Sequence, residues 1–240
     1  MPRYKLYFLF LLVGLAGLLF LREVKDFEAE IWHLTTPATI FLPSPTGSVE
    51  PQPQSVNLKV PFISQAPFEI WDNLHQEACE EAAVLQVASY WLGLEHLSSD
   101  QAEQELQALI ALELVNFGFF EDTDTLQTAQ LISDYYDFSQ VDVYFEISLD
   151  QIKKELAAGY PIIVPTAGQK LNNPFFRSPG PIYHMLVIRG YDQEQFITND
   201  NGTRRGEEYL YDQDVLFSAI HDWNSEKIEN GAKAMIVIRP

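Results

Sequence analysis

The stretch "YHMLVIRGYDQEQFITND", residues 183 to 200, has the pattern of two apolar strands joined by a short polar connection. We predict the strands at 183–191 and 195–200. When two such strands pair as an antiparallel hairpin, residues equally distant from the turn lie side by side. His184 lies seven residues before the end of the first strand and Asp200 five residues after the start of the second, so this pairing predicts an imidazole near a carboxylate.

The first half of the domain, up to residue 140, is mainly helical, and the sequence from residue 141 onward is mainly strand-forming. Helices are predicted at 76–92, from Ser98, at 125–136 and at 148–159, and further strands at 141–147, 160–166 and 234–240. Ser98 and Gln101 form a capping-box pattern at the second helix. Helices followed by antiparallel strands indicate an α+β fold, in which a helical N-terminal half packs on a sheet from the C-terminal half.

The motif "HQEACEEAAVL" contains Cys79, the only cysteine of the chain, at the start of a predicted helix. Unpaired backbone amides and the helix dipole favour a thiolate in a first helical turn. Glu80 and Glu81 are turned about 100° and 200° away from Cys79 on a helix, and Ala82 and Ala83 follow on its own face. The sequence therefore predicts an activated thiol on a small, uncharged face.

A cysteine nucleophile needs a base, and His184 is the best candidate among the five histidines because it begins an apolar strand. A third group must then orient the imidazole ring. Asp200 and Asn199 both end the adjacent strand. Because neighbouring strand residues face opposite sides, only one of the two can reach the ring.

Three separated motifs carry a family resemblance: "VPFISQAPFEIWDNLHQEACEEAA", "GPIYHMLVIRGYD" and "FITNDNGTRRGEEYLY". Together they resemble the papain-like cysteine peptidases related to the bacteriocin-processing type, which cleaves double-glycine leader peptides. The resemblance extends over residues 58 to 238. It implies a papain-like α+β fold with Cys79 as nucleophile, His184 as general base and Asp200 as the residue that orients the imidazole.

The resemblance also implies a glutamine upstream of the cysteine that donates to the oxyanion. Gln65 matches the entry motif "VPFISQ", but Cys79 lies 14 positions after it, a longer spacing than is usual in papain-like enzymes. Gln76 is a nearer alternative. The loop 166–182 is interpreted either as a connector or as a substrate-facing loop. Trp71 and Asp72 lie on the approach to Cys79, where they could line the cleft, but for Trp71 the core is the favoured position.

The N-terminal part divides into two segments before the peptidase domain at 58–240. Residues 1–22, "MPRYKLYFLFLLVGLAGLLFLR", indicate a membrane anchor or export signal, and the lack of a small-residue cleavage site favours an uncleaved anchor. Residues 23–57 are predicted to be a juxtamembrane helix and a Pro-rich spacer. Arg3 and Lys5 would keep the N-terminus in the cytoplasm and place the domain outside it.

The charge of the chain excludes one class of partner. The net charge is −19, and beyond residue 22 there are 12 basic against 34 acidic residues, or −22. Phosphate backbones bind clustered Lys and Arg, so we expect no nucleic-acid partner.

A single cysteine forms no internal disulfide. His75 and Cys79 are spaced as a pair of metal ligands, but two ligands do not make a zinc site, and we predict neither a metal nor a cofactor.

These observations predict a membrane-anchored, extracytoplasmic cysteine peptidase that acts on a peptide or protein through an acyl-enzyme. It would be secreted if the N-terminal segment were removed. Two alternatives use the same sequence features. One is a non-catalytic peptide-binding or scaffold module of this fold, and the other is an acyl transferase with the same triad.

Overall fold

The computed structural model describes residues 39–41, 53–225 and 227–240. The predicted anchor at 1–22 lies outside this part of the chain. Within the described residues, no helix combines the length and apolar character needed to cross a membrane.

The four predicted helices begin within three residues of their predicted starts. The described residues form α1 (Asn73–Gln76), α2 (Cys79–Trp91), α3 (Ser99–Asn116), α4 (Thr125–Tyr135), α5 (Leu149–Ala157) and α6 (Gln213–Ala219), with 3₁₀ turns at Gly168–Leu171 and Ile228–Asn230. The capping box before α3 is confirmed, because Ser98 Oγ accepts from the Gln101 N–H and Gln101 Oε1 accepts from the Ser98 N–H. Two orphan amides of the helix terminus are satisfied in this way.

The strands form one mixed sheet in which antiparallel pairing dominates. They are β1 (Thr39–Phe41), β2 (Val56–Asn57), β3 (Gln140–Phe145), β4 (Ile162–Ala167), β5 (Tyr183–Tyr191), β6 (Gln195–Asn199), β7 (Tyr209–Asp212) and β8 (Ala234–Arg239). The order is β1-β3-β8-β4-β5-β6-β7, with β2 paired to β5, and among these described strands only the β1–β3 pair is parallel. Strands β1 and β2 lie inside the predicted spacer, so the sheet includes residues that precede position 58. The start of the peptidase domain at residue 58 stays a prediction.

Both faces of the sheet are covered by apolar side chains. On one face, residues of α2, α3 and α4 pack against strand residues such as Met185, Val187 and Ile236. On the other face, residues of α5 and α6 pack against residues such as Leu186, Ile188 and Phe196. The predicted packing of an N-terminal helical half on a C-terminal sheet is therefore confirmed, and α5 and α6 cover the second face.

The hairpin of β5 and β6 contains a β-bulge that the sequence pattern does not predict. Tyr191 pairs with Phe196, Gly190 with Ile197, Ile188 with Thr198 and Val187 with Asn199, so Arg189 is the extra residue. A bulge shifts the pairing by one position and so exchanges the faces of all residues beyond it. Extending this register sets Asp200 opposite Leu186, on the face that also carries His184.

Strand β7 and helix α6 were not predicted from the sequence. The strand has only four residues, and the helix of seven residues begins directly after it. Neither segment is long enough to develop a clear apolar periodicity. Their position matters, because β7 brings Tyr211 next to β6.

Helix α3 provides a test of this packing. Leu106 is fully buried in the helix–sheet core, whereas Leu114 of the same helix is 49% exposed. We expect Leu106→Ala to lower the free energy of unfolding by about 2–5 kcal/mol, because it leaves a cavity. Leu114→Ala should change it by less than about 0.5 kcal/mol. Urea denaturation of both variants measures the difference, and equal effects would contradict the assigned orientation of α3.

Candidate active site

Cys79 is the first residue of α2, three positions later than the predicted helix start at Gln76. Its residue surface is 6% exposed. The N-cap, Ala78, offers no side-chain acceptor to the first turn, and the backbone N–H of Cys79 has no partner among the described residues. A free amide and a thiol therefore lie together at a helix N-terminus.

The thiol of Cys79 does not lie on an uncharged face, so that prediction was wrong. Cys79 Sγ donates a hydrogen bond to Glu80 Oε2 at 3.0 Å and accepts one from the Met185 N–H at 3.4 Å. Helical spacing turns the Cα–Cβ bond of Glu80 away from Cys79, but its long, flexible side chain reaches back to the sulfur. In the described contacts, Cys79 forms no hydrogen bond with His184.

The electrostatics of the thiol also differ from the expectation based on the helix dipole. Burial raises the pKa of the Cys79 thiol well above its usual value, and Glu80, when it is ionised, raises it further through its charge and its hydrogen bond. The Met185 N–H acts in the opposite direction and is the weaker influence. A position in the first helical turn is therefore not sufficient to activate this cysteine.

His184 and Asp200 form a buried pair. His184 Nε2 and Asp200 Oδ1 are 2.9 Å apart, and the two side chains are 2% and 0% exposed. The edge-to-face contact between Phe176 and the imidazole, with centroids 5.4 Å apart, fixes the ring from the side. Nδ1 of His184 has no hydrogen-bond partner among the described residues, which leaves that nitrogen free to take a proton.

Asp200 is kept charged by several donors. It accepts hydrogen bonds from Tyr211 at 2.6 Å, from Asn173 at 2.9 Å and from the Gly202 N–H at 3.1 Å. Burial opposes the carboxylate charge, but His184 and these side-chain hydrogen bonds outweigh it and lower the pKa of Asp200. A permanent negative charge therefore lies behind the imidazole.

Asn199, the alternative orienting residue, faces the opposite side of the sheet. Its Nδ2 donates to the carbonyls of Val60 and Pro61, and its Oδ1 accepts from Arg189 and from the Glu208 N–H. The sequence argument that only one of the two residues can reach the ring agrees with this geometry. Because Asn199 has its own partners, Asp200 is the residue at the imidazole.

Three polar residues of the site had no signal in the sequence. Asn201 donates to the carbonyls of Cys79 and Met185, at 2.9 and 3.1 Å, and so ties α2 to β5. Asn173 and Tyr211 hold Asp200. Asn201 stands in an Asn-Gly pair, which by itself indicates a turn, and the other two come from a loop and from a strand too short to predict. Only the fold brings them together.

Gln65 and Gln76 differ in their surroundings. Gln65 is buried, and its Nε2 donates to the carbonyls of His75 and Gln76 at 2.8 and 3.2 Å, next to the start of α2. The side chain of Gln76 instead donates to the carbonyls of Trp71 and Asp72 on the exposed side. Of the two predicted oxyanion donors, Gln65 is therefore held closer to the interior of the site.

Cys79 and His184 line the same cleft, which has a volume of about 880 Å³. Residues 175–182 form part of its wall, so this part of the long segment 166–182 faces the cleft. Trp71 also lines the cleft and is 40% exposed. The expectation that Trp71 belongs to the core was wrong. The loop that carries it approaches the cleft with the indole on the surface.

A group of buried acids lies beside the thiol. Glu80, Glu81 and Glu113 are at most 1% exposed, and each has at least one carboxyl oxygen with no hydrogen-bond partner among the described residues. In the same part of the chain, none of them forms an ion pair with a Lys or Arg. Burial raises the pKa of all three, that of Glu113 to about 7.

Comparison with known proteins assigns the chain to a family. A model of the Peptidase_C39 like family matches residues 57–227. The chain therefore belongs to the Peptidase_C39 like family, and it is a cysteine peptidase. Family membership and the α+β architecture confirm the fold class and the enzyme class that the sequence predicts.

Solved structures with similarity to the chain include a C39-like peptidase, a procathepsin L and a cysteine protease. A C39-like peptidase from Bacillus anthracis has 16% identity and a TM-score of 0.45, over 78% of this chain and 99% of that one. Digestive procathepsin L 3 of Tenebrio molitor has 15% identity and a TM-score of 0.46, over 89% and 79%. Xylellain from Xylella fastidiosa has 14% identity and a TM-score of 0.35, over 85% and 95%. No curated protein matches the chain.

The buried acids predict how stability depends on pH. A carboxyl whose pKa is raised in the folded state keeps its proton there while the unfolded chain loses it, so stability falls as pH rises from the unfolded pKa to the folded one. For Glu113 this window runs from 4.5 to about 7. We expect thermal unfolding of the full-length chain to shift to lower temperature across this window.

Glu113→Gln should reduce this pH dependence, because the amide does not ionise. Asp100→Asn, at an exposed position of the same helix, should leave it unchanged. Stability that rises with pH over the window, or an equal slope in Glu113→Gln, would contradict a protonated Glu113 in the folded protein.

Proposed function

We propose that the protein hydrolyses peptide bonds with Cys79 as nucleophile, His184 as general base and Asp200 as the residue that orients and stabilises the imidazolium. One observation carries the proposal: His184, which is paired with the buried Asp200, lines the same cleft as Cys79, the only cysteine of the chain. The bond from Asp200 occupies Nε2 and leaves Nδ1 for the thiol proton.

The reaction would proceed through a thioester. The thiol proton passes to His184 Nδ1, and the sulfur attacks the carbonyl carbon of the peptide. His184 then donates this proton to the departing amine. In the second half, a water molecule gives its proton to His184 and attacks the thioester, which releases the acid and restores the thiol.

We further propose that the Cys79 N–H and Gln65 stabilise the oxyanion. The Cys79 N–H is free among the described residues and belongs to the helix N-terminus, where the partial positive charge favours an anion. An amide nitrogen has two N–H donors. The one that would turn toward the oxyanion is the donor to Gln76, since that contact is the longer, at 3.2 Å.

The cellular placement is also a proposal. Residues 1–22 have the composition of an uncleaved membrane anchor with basic residues on the N-terminal side. We propose that the peptidase domain acts outside the cytoplasm at a membrane surface. The substrate would be a peptide or protein. The proposed chemistry does not require that this substrate be a double-glycine leader peptide.

Alkylation of Cys79 by iodoacetamide tests the nucleophile–base pair in the full-length protein purified in detergent micelles. His184→Ala should slow alkylation at pH 7 by about tenfold or more, because the thiolate loses its counter-ion. The same variant should lose about 10²–10⁴-fold in the hydrolysis of a peptide mixture followed by mass spectrometry.

The matched control is His96→Ala, since His96 is exposed in a loop away from the cleft. It should alkylate and hydrolyse like the unmodified protein. If Cys79 is inert in the unmodified protein, or if both histidine variants behave alike, the catalytic assignment is wrong.

A further inference from the structure

Glu80 touches the proposed nucleophile directly, yet the mechanism above gives it no role. Its Oε2 lies 3.0 Å from Cys79 Sγ, closer than any other hydrogen-bonding group described for the sulfur. The residue is 1% exposed, and its Oε1 has no hydrogen-bond partner among the described residues. A carboxylate in such a place is neither solvated nor paired with a cation.

The surroundings of Glu80 favour its neutral form. The titratable groups that face it are Cys79 and Glu81 of α2, Glu113 of α3, Asp122 of the following loop, and Tyr183 of β5. All of them are acids. Burial and neighbouring acids both make a carboxylate more stable in its protonated, neutral form. Burial raises the pKa of Glu80 accordingly.

The proton on Glu80 decides what its contact with the sulfur does. If Glu80 is charged, the thiol must keep its proton, since two anions 3.0 Å apart in a buried site repel each other. If Glu80 is neutral, its hydroxyl can donate to the sulfur. The same contact then stabilises a thiolate.

We propose that Glu80 acts as a neutral carboxylic acid that donates a hydrogen bond to the Cys79 thiolate and so positions and stabilises the nucleophile. The inference rests on the proposed function of Cys79. No proton is consumed, because the thiol proton passes to His184 Nδ1 while Glu80 keeps its own. Glu81 and Glu113 support this state, since their own burial without a cation makes a further negative charge on Glu80 unfavourable.

The test is the midpoint of the pH dependence of Cys79 alkylation, measured with iodoacetamide on the full-length protein in detergent micelles. Glu80→Gln keeps a neutral N–H donor and should leave the midpoint within about 0.3 pH units of the unmodified protein. Glu80→Leu removes the donor and should raise it by about one unit, which means roughly tenfold slower alkylation below the midpoint.

Glu69→Gln is the matched control, because Glu69 also lines the cleft but forms an exposed pair with Arg204. It should leave the midpoint unchanged. Circular dichroism establishes that each variant is folded. If Glu80→Leu does not fold, Glu80→Met takes its place as the variant without a donor, because its side chain is closer to glutamate in length.

Three outcomes would overturn the proposal. A lower midpoint in both Glu80 variants would mean that a charged Glu80 restrains the thiol. A midpoint raised in Glu80→Gln as well would mean that the carboxylate accepts the thiol proton. No change in either variant would mean that Glu80 has no influence on the sulfur. Failure of the proposed function is distinguishable, since Cys79 would then be inert, or indifferent to His184→Ala, before any Glu80 variant is compared.

Discussion

The hydrogen bond between His184 Nε2 and Asp200 Oδ1 is the interaction on which the site depends. It forms in the interior, where an unpaired carboxylate would be unfavourable, so Asp200 needs both the imidazole and its donors Tyr211 and Asn173. Because this bond occupies one ring nitrogen, it determines which nitrogen remains for chemistry. The loop after Asp200 then continues to Asn201, which binds the carbonyl of Cys79 and connects the helix of the thiol with the strand of the base.

The β-bulge at Arg189 makes this interaction possible. Without the extra residue, the hairpin register would place Asn199 on the face of His184 and turn Asp200 to the other side. With it, Asp200 meets the ring, and Asn199 holds the chain near Val60 instead. A single extra residue in β5 therefore selects a charged orienting group over a neutral amide. Arg189 itself is held by the Leu58 carbonyl and by Asn199.

Part of the fold and of the candidate site was predictable from the sequence, and part was not. The helix and strand order, the capping box at Ser98 and the α+β class follow from apolar periodicity and cap chemistry, which act over a few neighbouring residues. His184 and Asp200 were predicted together because hairpin geometry is also local. The contact between Glu80 and Cys79 was missed, because helical spacing fixes the direction of Cβ but not the end of a long side chain. Asn173 and Tyr211 reach Asp200 only through pairing between distant segments, which no single pattern in one sequence encodes. The bulge lies within the hairpin itself, but the alternation of apolar residues does not mark the extra residue.

The central claim is that the imidazole of His184 and the sulfur of Cys79 are neighbours that act on the same peptide bond. A bifunctional three-carbon reagent, 1,3-dibromoacetone, tests it directly, because it can join a thiol and an imidazole only where the two are neighbours. After treatment of the full-length protein and proteolytic mapping by mass spectrometry, we predict one cross-linked peptide pair that contains Cys79 and His184. Cys79 modified without a link to His184, or linked to another residue, would contradict the account.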